Sequence, residues 1–267
     1  MARRTVGCIG TGVMGSALME AVAKSAGAGE ILLRDSEPGK AESLAARLGC
    51  AVAGSNRELA KGARFVFLAV KPAYLAGVLD EIGPALTQDT VLVSMAAGVP
   101  IDFIKRHVDG HPRVVRIMPN MPASVGAGMI AVASVPSVPA SDVEELLRLL
   151  APAGLAEITG EALMDAVTAV SGSGPAYGFI FIEALADAAV RMGMPRVQAI
   201  RYAAQTLKGA AESVLVTGTH PAALKDGVCS PAGTTIAAVA ELEARGFRAA
   251  VMAAAQAAFD RSRELGK

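Results

Sequence analysis

Two domains of different class are expected from this chain: an open α/β layer over residues 1–160 and an all-α domain over residues 161–267. Three observations carry the expectation. Up to about residue 160, short unbroken apolar runs alternate with helix-periodic segments, the pattern of a parallel sheet covered by helices on both faces. From Glu161 the strand signal nearly disappears and long Ala-rich segments follow. With 52% hydrophobic residues, 4% aromatics and no Trp among 267 residues, the core is ample but must be built largely from close approach of small side chains.

The elements follow in order. TVGCI, from Thr5, reads as the first strand, and a helix is expected over Gly15–Ser25. EILLR is a second strand, Lys40–Leu48 a helix, RFVFLAV a third strand, Tyr74–Ile82 a helix and TVLVSMA a fourth strand. RVVRIMP and AGMIAVAS supply two more strands. A helix over Ser141–Leu150 is expected to be capped by Ser141, with acids in its first turns. The second domain reads as helices over Glu161–Ala169, Ala176–Met192, Arg196–Leu215, Thr235–Arg245 and Arg248–Leu265. Pro195 opens one of these, while GTHP and SPAGTT interrupt later ones. Helices this apolar in a domain of about 105 residues imply burial against another subunit, hence a homo-oligomer.

Composition excludes several classes of partner. Twenty-five Lys plus Arg balance twenty-five Asp plus Glu, leaving no broad positive field for a nucleic-acid backbone or an anionic membrane. Cys8, Cys50 and Cys229 are too few and scattered for a disulfide framework and lack metal-site spacing, which fits a reducing compartment and no metal. No targeting sequence is evident, and the apolar runs fall well short of the ~20 residues that span a bilayer. A soluble protein is expected.

GTGVMG, comprising Gly10, Thr11, Gly12, Val13, Met14 and Gly15, has the G-x-G-x-x-G spacing, follows the first strand and opens the first helix. Gly10 permits the tight turn, Gly12 lets a pyrophosphate approach the backbone, and Gly15 lets the helix pack closely. That context points to a Rossmann-like dinucleotide-binding domain. The dinucleotide depends on LLRDSE: Asp35 could accept the ribose hydroxyls of NAD, whereas Arg34 with Ser36 could hold the 2'-phosphate of NADP if Asp35 points away. NADPH is the expectation and NADH the alternative. Further strand ends add Asn56, the run Ala69, Val70, Lys71 and Pro72, and the run Ala96, Ala97 and Gly98, the last beside the nicotinamide. Lys71 has an alternative as a solvated loop charge, and Asn56 as a helix cap in SNRE.

Two loops in the second half precede helices: AVSGSGPAY, holding Ser173, and LKDGVCSPAGTTI, holding Ser230, Gly233, Thr234 and Thr235. Amides and hydroxyls at the second can converge on a small carboxylate without any Arg; helix capping is the competing account. His107, His111 and His220 have no paired Asp or nucleophile spacing and read as structural, and Cys229 reads as a space-filler.

Taken together, GCIGTGVMGSAL, AVKP, SMAAGV, RIMPNMPASVGAG, AVSGSGPAY, HPAALKDGVCSPAGTTIAAVAELE and AVMAAAQAAFDRSREL resemble the pyrroline-5-carboxylate reductase family over nearly the whole chain. The resemblance implies hydride transfer from NAD(P)H to the C=N bond of 1-pyrroline-5-carboxylate, forming L-proline in the cytoplasm. It implies cofactor contacts at Gly10–Gly15, Arg34–Ser36, Asn56, Ala69–Pro72 and Ala96–Gly98. The substrate carboxylate would lie around Ser230, Gly233, Thr234 and Thr235, with Ser173 shaping the pocket and Thr235 the principal contact. A homodimer of intertwined C-terminal helices, assembled into a decamer of five dimers, is also implied. The sequence departs from the family pattern at Gly227, Cys229 and Ala232, where Asn, Thr and Gly are usual. A 3-hydroxy acid dehydrogenase is the enzymatic rival, but the Lys and Asn expected there would fall on Gly178 and Ile182. An NADPH sensor without turnover is the rival of another class, and it leaves the substrate-side loop without a task.

Overall fold

The computed structural model describes residues 3–265. The chain forms two compact units: one ends at Gly172 and takes back the chain from Ala258, and the other runs Ser173–Ala257.

The first unit is an eight-stranded sheet. Its elements are β1 (Arg4–Ile9), α1 (Val13–Ala26), β2 (Ile31–Arg34), α2 (Lys40–Leu48), β3 (Ala51–Val52), α3 (Asn56–Gly62), β4 (Ala63–Leu68) and α4 (Pro72–Ile82). They continue as β5 (Val91–Ser94), α5 (Ile101–His107), β6 (Val114–Met118), β7 (Gly128–Ser134), α6 (Ala140–Leu150), β8 (Gly154–Ile158) and α7 (Met164–Val167). The strand order is β3-β2-β1-β4-β5-β6-β7-β8. All neighbours pair in parallel except β6 and β7, whose short connection cannot carry a crossover.

The unbroken apolar runs have the expected cause. In β4, Phe65 and Phe67 enter one buried cluster with Leu18, Leu33 and Val93, while Val66 and Leu68 enter another with Leu59, Leu79 and Leu92. Alternate residues therefore feed a core on each face of the sheet.

Several local expectations need correction. Ser141 does not cap α6: the helix begins at Ala140 after Pro139, so Ser141 already lies in the first turn. The segment Glu161–Ala169 is not one α-helix, since a 3-10 turn over Glu161–Leu163 leads into α7 and then a π-turn over Thr168–Gly172. Five elements without a strong periodic signal, β3, α3, α5, β8 and the helix Pro221–Gly227, are also present.

The second unit contains α8 (Gly174–Arg191), α9 (Arg196–Thr217), α10 (Pro221–Gly227), α11 (Thr234–Ala244) and the start of α12 (Phe247–Leu265). Its buried cluster consists of Ala186, Ala199 and Ala203, with Ile182, Ala189, Val190 and Met194 packed around them. Small residues at helical spacing let α8 and α9 approach closely, as the Trp-free composition requires. No helix among the described residues is long and apolar enough to cross a membrane.

Candidate functional site

The carboxyl ends of β1, β2, β4 and β5 lie at one level, because Ile9 pairs with both Arg34 and Leu68, and Leu68 pairs with Ser94. The alignment continues past the strands. Gly10 N–H donates to the Arg34 carbonyl at 2.8 Å, Ala69 N–H to Ile9 at 2.8 Å, and Met95 N–H to Leu68 at 3.3 Å. Since β1 lies between β2 and β4, the connections diverge from it and a crevice opens beyond its end, where open α/β sheets take ligands. Gly10–Gly15, Arg34–Ser36, Ala69–Pro72 and Ala96–Gly98 all follow strands on this edge.

Gly10 and Gly15 each meet a steric demand, and Gly12 leaves an opening. Gly10 has φ +97°, and a Cβ there would lie 2.5 Å from the Ala69 carbonyl oxygen. A Cβ on Gly15 would stand 2.2 Å from the Gly10 oxygen, so α1 could not pack so near. Around Gly12 nothing lies within 4 Å of the Cβ position, and no side chain caps α1 there. The start of α1 is therefore open at Gly12 and uncapped by any side chain, an arrangement that fits a dinucleotide pyrophosphate. Val13 is 79% exposed at this opening, whereas Met14 packs against the core.

Asp35 is fastened to the glycine loop. Its Oδ2 accepts from the Thr11 amide (2.6 Å) and the Thr11 hydroxyl (2.9 Å), and its Oδ1 from the Glu37 amide (2.9 Å). Burial by itself would raise the Asp35 pKa, but these hydrogen bonds to the charged form, aided by Lys40, leave it lowered. The folded state thus binds fewer protons at this carboxyl than the unfolded chain. Its stabilising contribution is present at neutral pH and is lost as pH falls through the depressed folded-state pKa. Arg34 is half-buried and Ser36 exposed, and neither side chain has a hydrogen-bond or ion-pair partner among the described residues.

Asn56 does not cap α3. The Ser55 hydroxyl accepts from the Glu58 amide at 3.1 Å and performs that task, while Asn56 Nδ2 donates to Glu81 Oε2 at 2.7 Å. Lys71 is the exposed residue preceding α4, with Pro72 in the first turn.

In the helical unit, Gly233 is the N-cap residue of α11 and has no side-chain cap of its own. Its amide donates to the Ser230 carbonyl at 3.0 Å, and a Cβ on it would lie 2.2 Å from Ser230 Oγ. A larger residue there would push that hydroxyl aside. Ala232, just before it, has φ +55°, a left-handed conformation that a side chain disfavours. Thr234 and half-buried Thr235 form the first two positions of α11, where amides lack intrahelical acceptors and the dipole favours an anion. Ser173 precedes α8 at Gly174 and is half-buried.

The histidines are engaged structurally. His107 Nδ1 meets Asp80 at 2.8 Å, His220 Nδ1 accepts from the Ala222 amide at 3.2 Å, and buried His111 Nε2 bonds the Thr90 carbonyl at 2.7 Å. The Cys8 thiol is pushed up to about 12, by burial first and the Asp35 charge second, which leaves it unreactive.

Residues 161–265 match the family model for pyrroline-5-carboxylate reductase dimerisation, and residues 5–98 match one described as NADP oxidoreductase coenzyme F420-dependent. The chain is 44% identical over 266 residues to the pyrroline-5-carboxylate reductase of Escherichia coli, with 99% of each chain covered. It is 42% identical to that of Methanosarcina acetivorans, with 100% of each covered. Among solved structures it is similar to a Plasmodium falciparum pyrroline carboxylate reductase with NADP bound, at 32% identity and TM-score 0.89 over 100% of both chains. A pyrroline-5-carboxylate reductase from Coxiella burnetii gives TM-score 0.90 at 31% identity over 99% of both.

Proposed function

Because the chain belongs to the pyrroline-5-carboxylate reductase family and reduces the C=N bond of 1-pyrroline-5-carboxylate with NAD(P)H to form L-proline, we propose that two uncapped helix starts divide the binding between them. The start of α1 takes the dinucleotide and the start of α11 takes the substrate carboxylate.

On the cofactor side the glycine loop receives the pyrophosphate, with Val13 and Met14 flanking it. Arg34 and Ser36 take the ribose 2'-phosphate of NADPH. The observation that carries this preference is Asp35, whose two carboxylate oxygens are engaged by Thr11 and Glu37 and turned from the role that would select NAD. NADH is the weaker cofactor in this reading. Asn56, Ala69–Pro72 and Ala96–Gly98 complete the contacts.

When bound there, NAD(P)H would supply the hydride for the imine carbon. On the chain's side, the amides of Thr234 and Thr235, together with the Ser230 hydroxyl, hold the substrate carboxylate. Gly233 keeps Ser230 close to the helix start, and Ser173 shapes the pocket wall. The Thr235 hydroxyl is assigned to the ring nitrogen, where it supports the proton that makes the imine carbon electrophilic. Positioning and exclusion of water then supply much of the acceleration. Thr235→Ala is expected to lower kcat/KM for pyrroline-5-carboxylate by ~10-fold or more while the dissociation constant for NADPH stays within about twofold. Steady-state kinetics and cofactor titration check both, and unchanged kinetics would remove Thr235 from the site.

The protein self-associates as a homodimer through its helical part, and five such dimers forming a decamer is the proposed larger assembly. We set the functional division between residues 160 and 161, which the start of the strand-poor sequence and of the dimerisation match supports, although the first compact unit extends to Gly172. The cytoplasm is the proposed location, consistent with three free cysteines.

A further inference from the structure

Within the first unit, a cavity of about 460 Å3 is lined by Gly98, Pro100, Arg116, Glu161, Asp165 and Ser262 among others. Arg116 projects from the middle of β6 with only 7% of its side chain exposed, and its Nη1 stands 3.6 Å from Glu161 Oε1. Arginine is seldom buried this deeply without a partner. Asp165, on the neighbouring turn, is held by the Ser262 hydroxyl at 2.6 Å. Arg116, Glu161, Asp165 and Ser262 are not among the contacts assigned above, whereas Gly98 is.

Glu161 has a second partner. Its Oε1 accepts from the Ile101 amide at 2.6 Å, across sixty residues of sequence. Ile101 is the first residue of α5, preceded by Pro100, and no side chain local to that helix caps it. Glu161 therefore caps α5 from a distance, with a full charge where a helix start favours one.

The segment leading into α5 is Met95–Pro100, which contains Ala96–Gly98. The bonds its own N–H groups donate are long: Met95 N–H to Leu68 O at 3.3 Å, Ala96 N–H to Ser94 Oγ at 3.4 Å, and Val99 N–H to Ala96 O at 3.4 Å. Gly98, at φ +75°, adds a turn that backbone hydrogen bonding holds only weakly. Ala96 and Val99 are also buried in the core, and the charge-assisted bond from the Ile101 amide to Glu161, shorter than any of those bonds at 2.6 Å, fixes the residue at which the segment ends.

We propose that Glu161, itself held by Arg116, is a positioning residue that sets the Ala96–Gly98 loop for cofactor binding. The proposal rests on the reading of that loop as a nicotinamide-side contact. Glu161 acts through the Ile101 amide.

The test compares NADPH dissociation constants of the full-length enzyme, by fluorescence titration well below the unfolding midpoint, for Glu161→Ala, Glu161→Asp, Glu161→Gln and Ala97→Leu. Glu161→Ala and Glu161→Asp, which lose the acceptor or its reach, should weaken NADPH binding by about tenfold while kcat at saturating cofactor stays within twofold. Glu161→Gln, which keeps an acceptor at the same distance, should recover binding to within about threefold of the parent. Ala97→Leu adds bulk to the middle of the loop and should weaken NADPH directly. If Ala97→Leu weakens binding but Glu161→Ala and Glu161→Asp bind as the parent does, the positioning role is wrong and the loop reading stands. If Ala97→Leu is also without effect, the loop reading fails. Should Glu161→Ala not fold, Glu161→Asp decides. A Glu161→Gln variant as weak as Glu161→Asp would also overturn the capping argument.

Discussion

Arg34 stands at the end of β2 beside an acid, Asp35, whose two oxygens are engaged by Thr11 and Glu37. A cation in that position, with an exposed hydroxyl at Ser36, is suited to a phosphate and adds little for a free ribose hydroxyl. Arg34→Ala should therefore raise the NADPH dissociation constant by about 10-fold or more, the scale of one charge-assisted contact. The NADH constant should change less than about twofold. Parallel titrations decide it, and an equal loss for both would show that Arg34 does not read the 2'-phosphate. The three motif glycines were legible in the sequence because their spacing is complete within six residues at a strand-to-helix junction, although the carbonyl that bars a Cβ at Gly10 comes from Ala69. The orientation of Asp35 was not, because the groups that turn it come from Thr11, 24 residues earlier, and from the bend at Glu37. The Glu161 contact with Ile101 was invisible for the same reason: no local pattern announces a cap donated across sixty residues.

At the scale of the element, the loop before α11 carries a measurable cost at Ala232, whose φ of +55° places a methyl group where glycine would sit freely. Ala232→Gly should relieve that strain, less the greater freedom that glycine gives the unfolded chain, for a net gain of roughly 0.5–1 kcal/mol. A rise of about 1–3 °C in the unfolding midpoint is expected, and a fall would contradict the strain. Long elements were readable: α2 occupies Lys40–Leu48 as its periodicity predicts, and α9 and α11 begin within a residue of their expected starts. What escaped was short or half-exposed. β3 has two residues, α3 and α5 have seven each, and β8 is a five-residue edge strand with Leu155, Glu157 and Ile158 all exposed, so none fills a periodic window. The π-turn over Thr168–Gly172 escaped differently. Its backbone is set by tertiary contacts: Asn120 Nδ2 donates to the Ser171 carbonyl at 2.9 Å, and Gly172 packs so close to Met118 that a Cβ would fall 2.8 Å from Cε.

For the molecule as a whole, the helical unit cannot bury its own apolar surface. Its fully buried core is three alanines, while Ile180, Leu242, Phe247 and Val251 remain substantially exposed along a groove of about 640 Å3. A second copy supplies the missing burial, so light scattering at micromolar concentration should return at least twice the 27.1 kDa chain mass, and a monomeric value would contradict the packing argument. The balanced charge acquires a specific meaning at this scale. A small anionic substrate needs only the local field and amides of one helix start, with no net positive surface. Imine reduction is tested most directly by following loss of the reduced-nicotinamide absorbance with 1-pyrroline-5-carboxylate, beside the reverse assay of a 3-hydroxy acid with NADP. Rapid, saturable oxidation of NADPH by the imine, slower turnover with NADH and no oxidation of the hydroxy acid are expected. Tight NADPH binding without imine turnover, or turnover of the hydroxy acid instead, would contradict it.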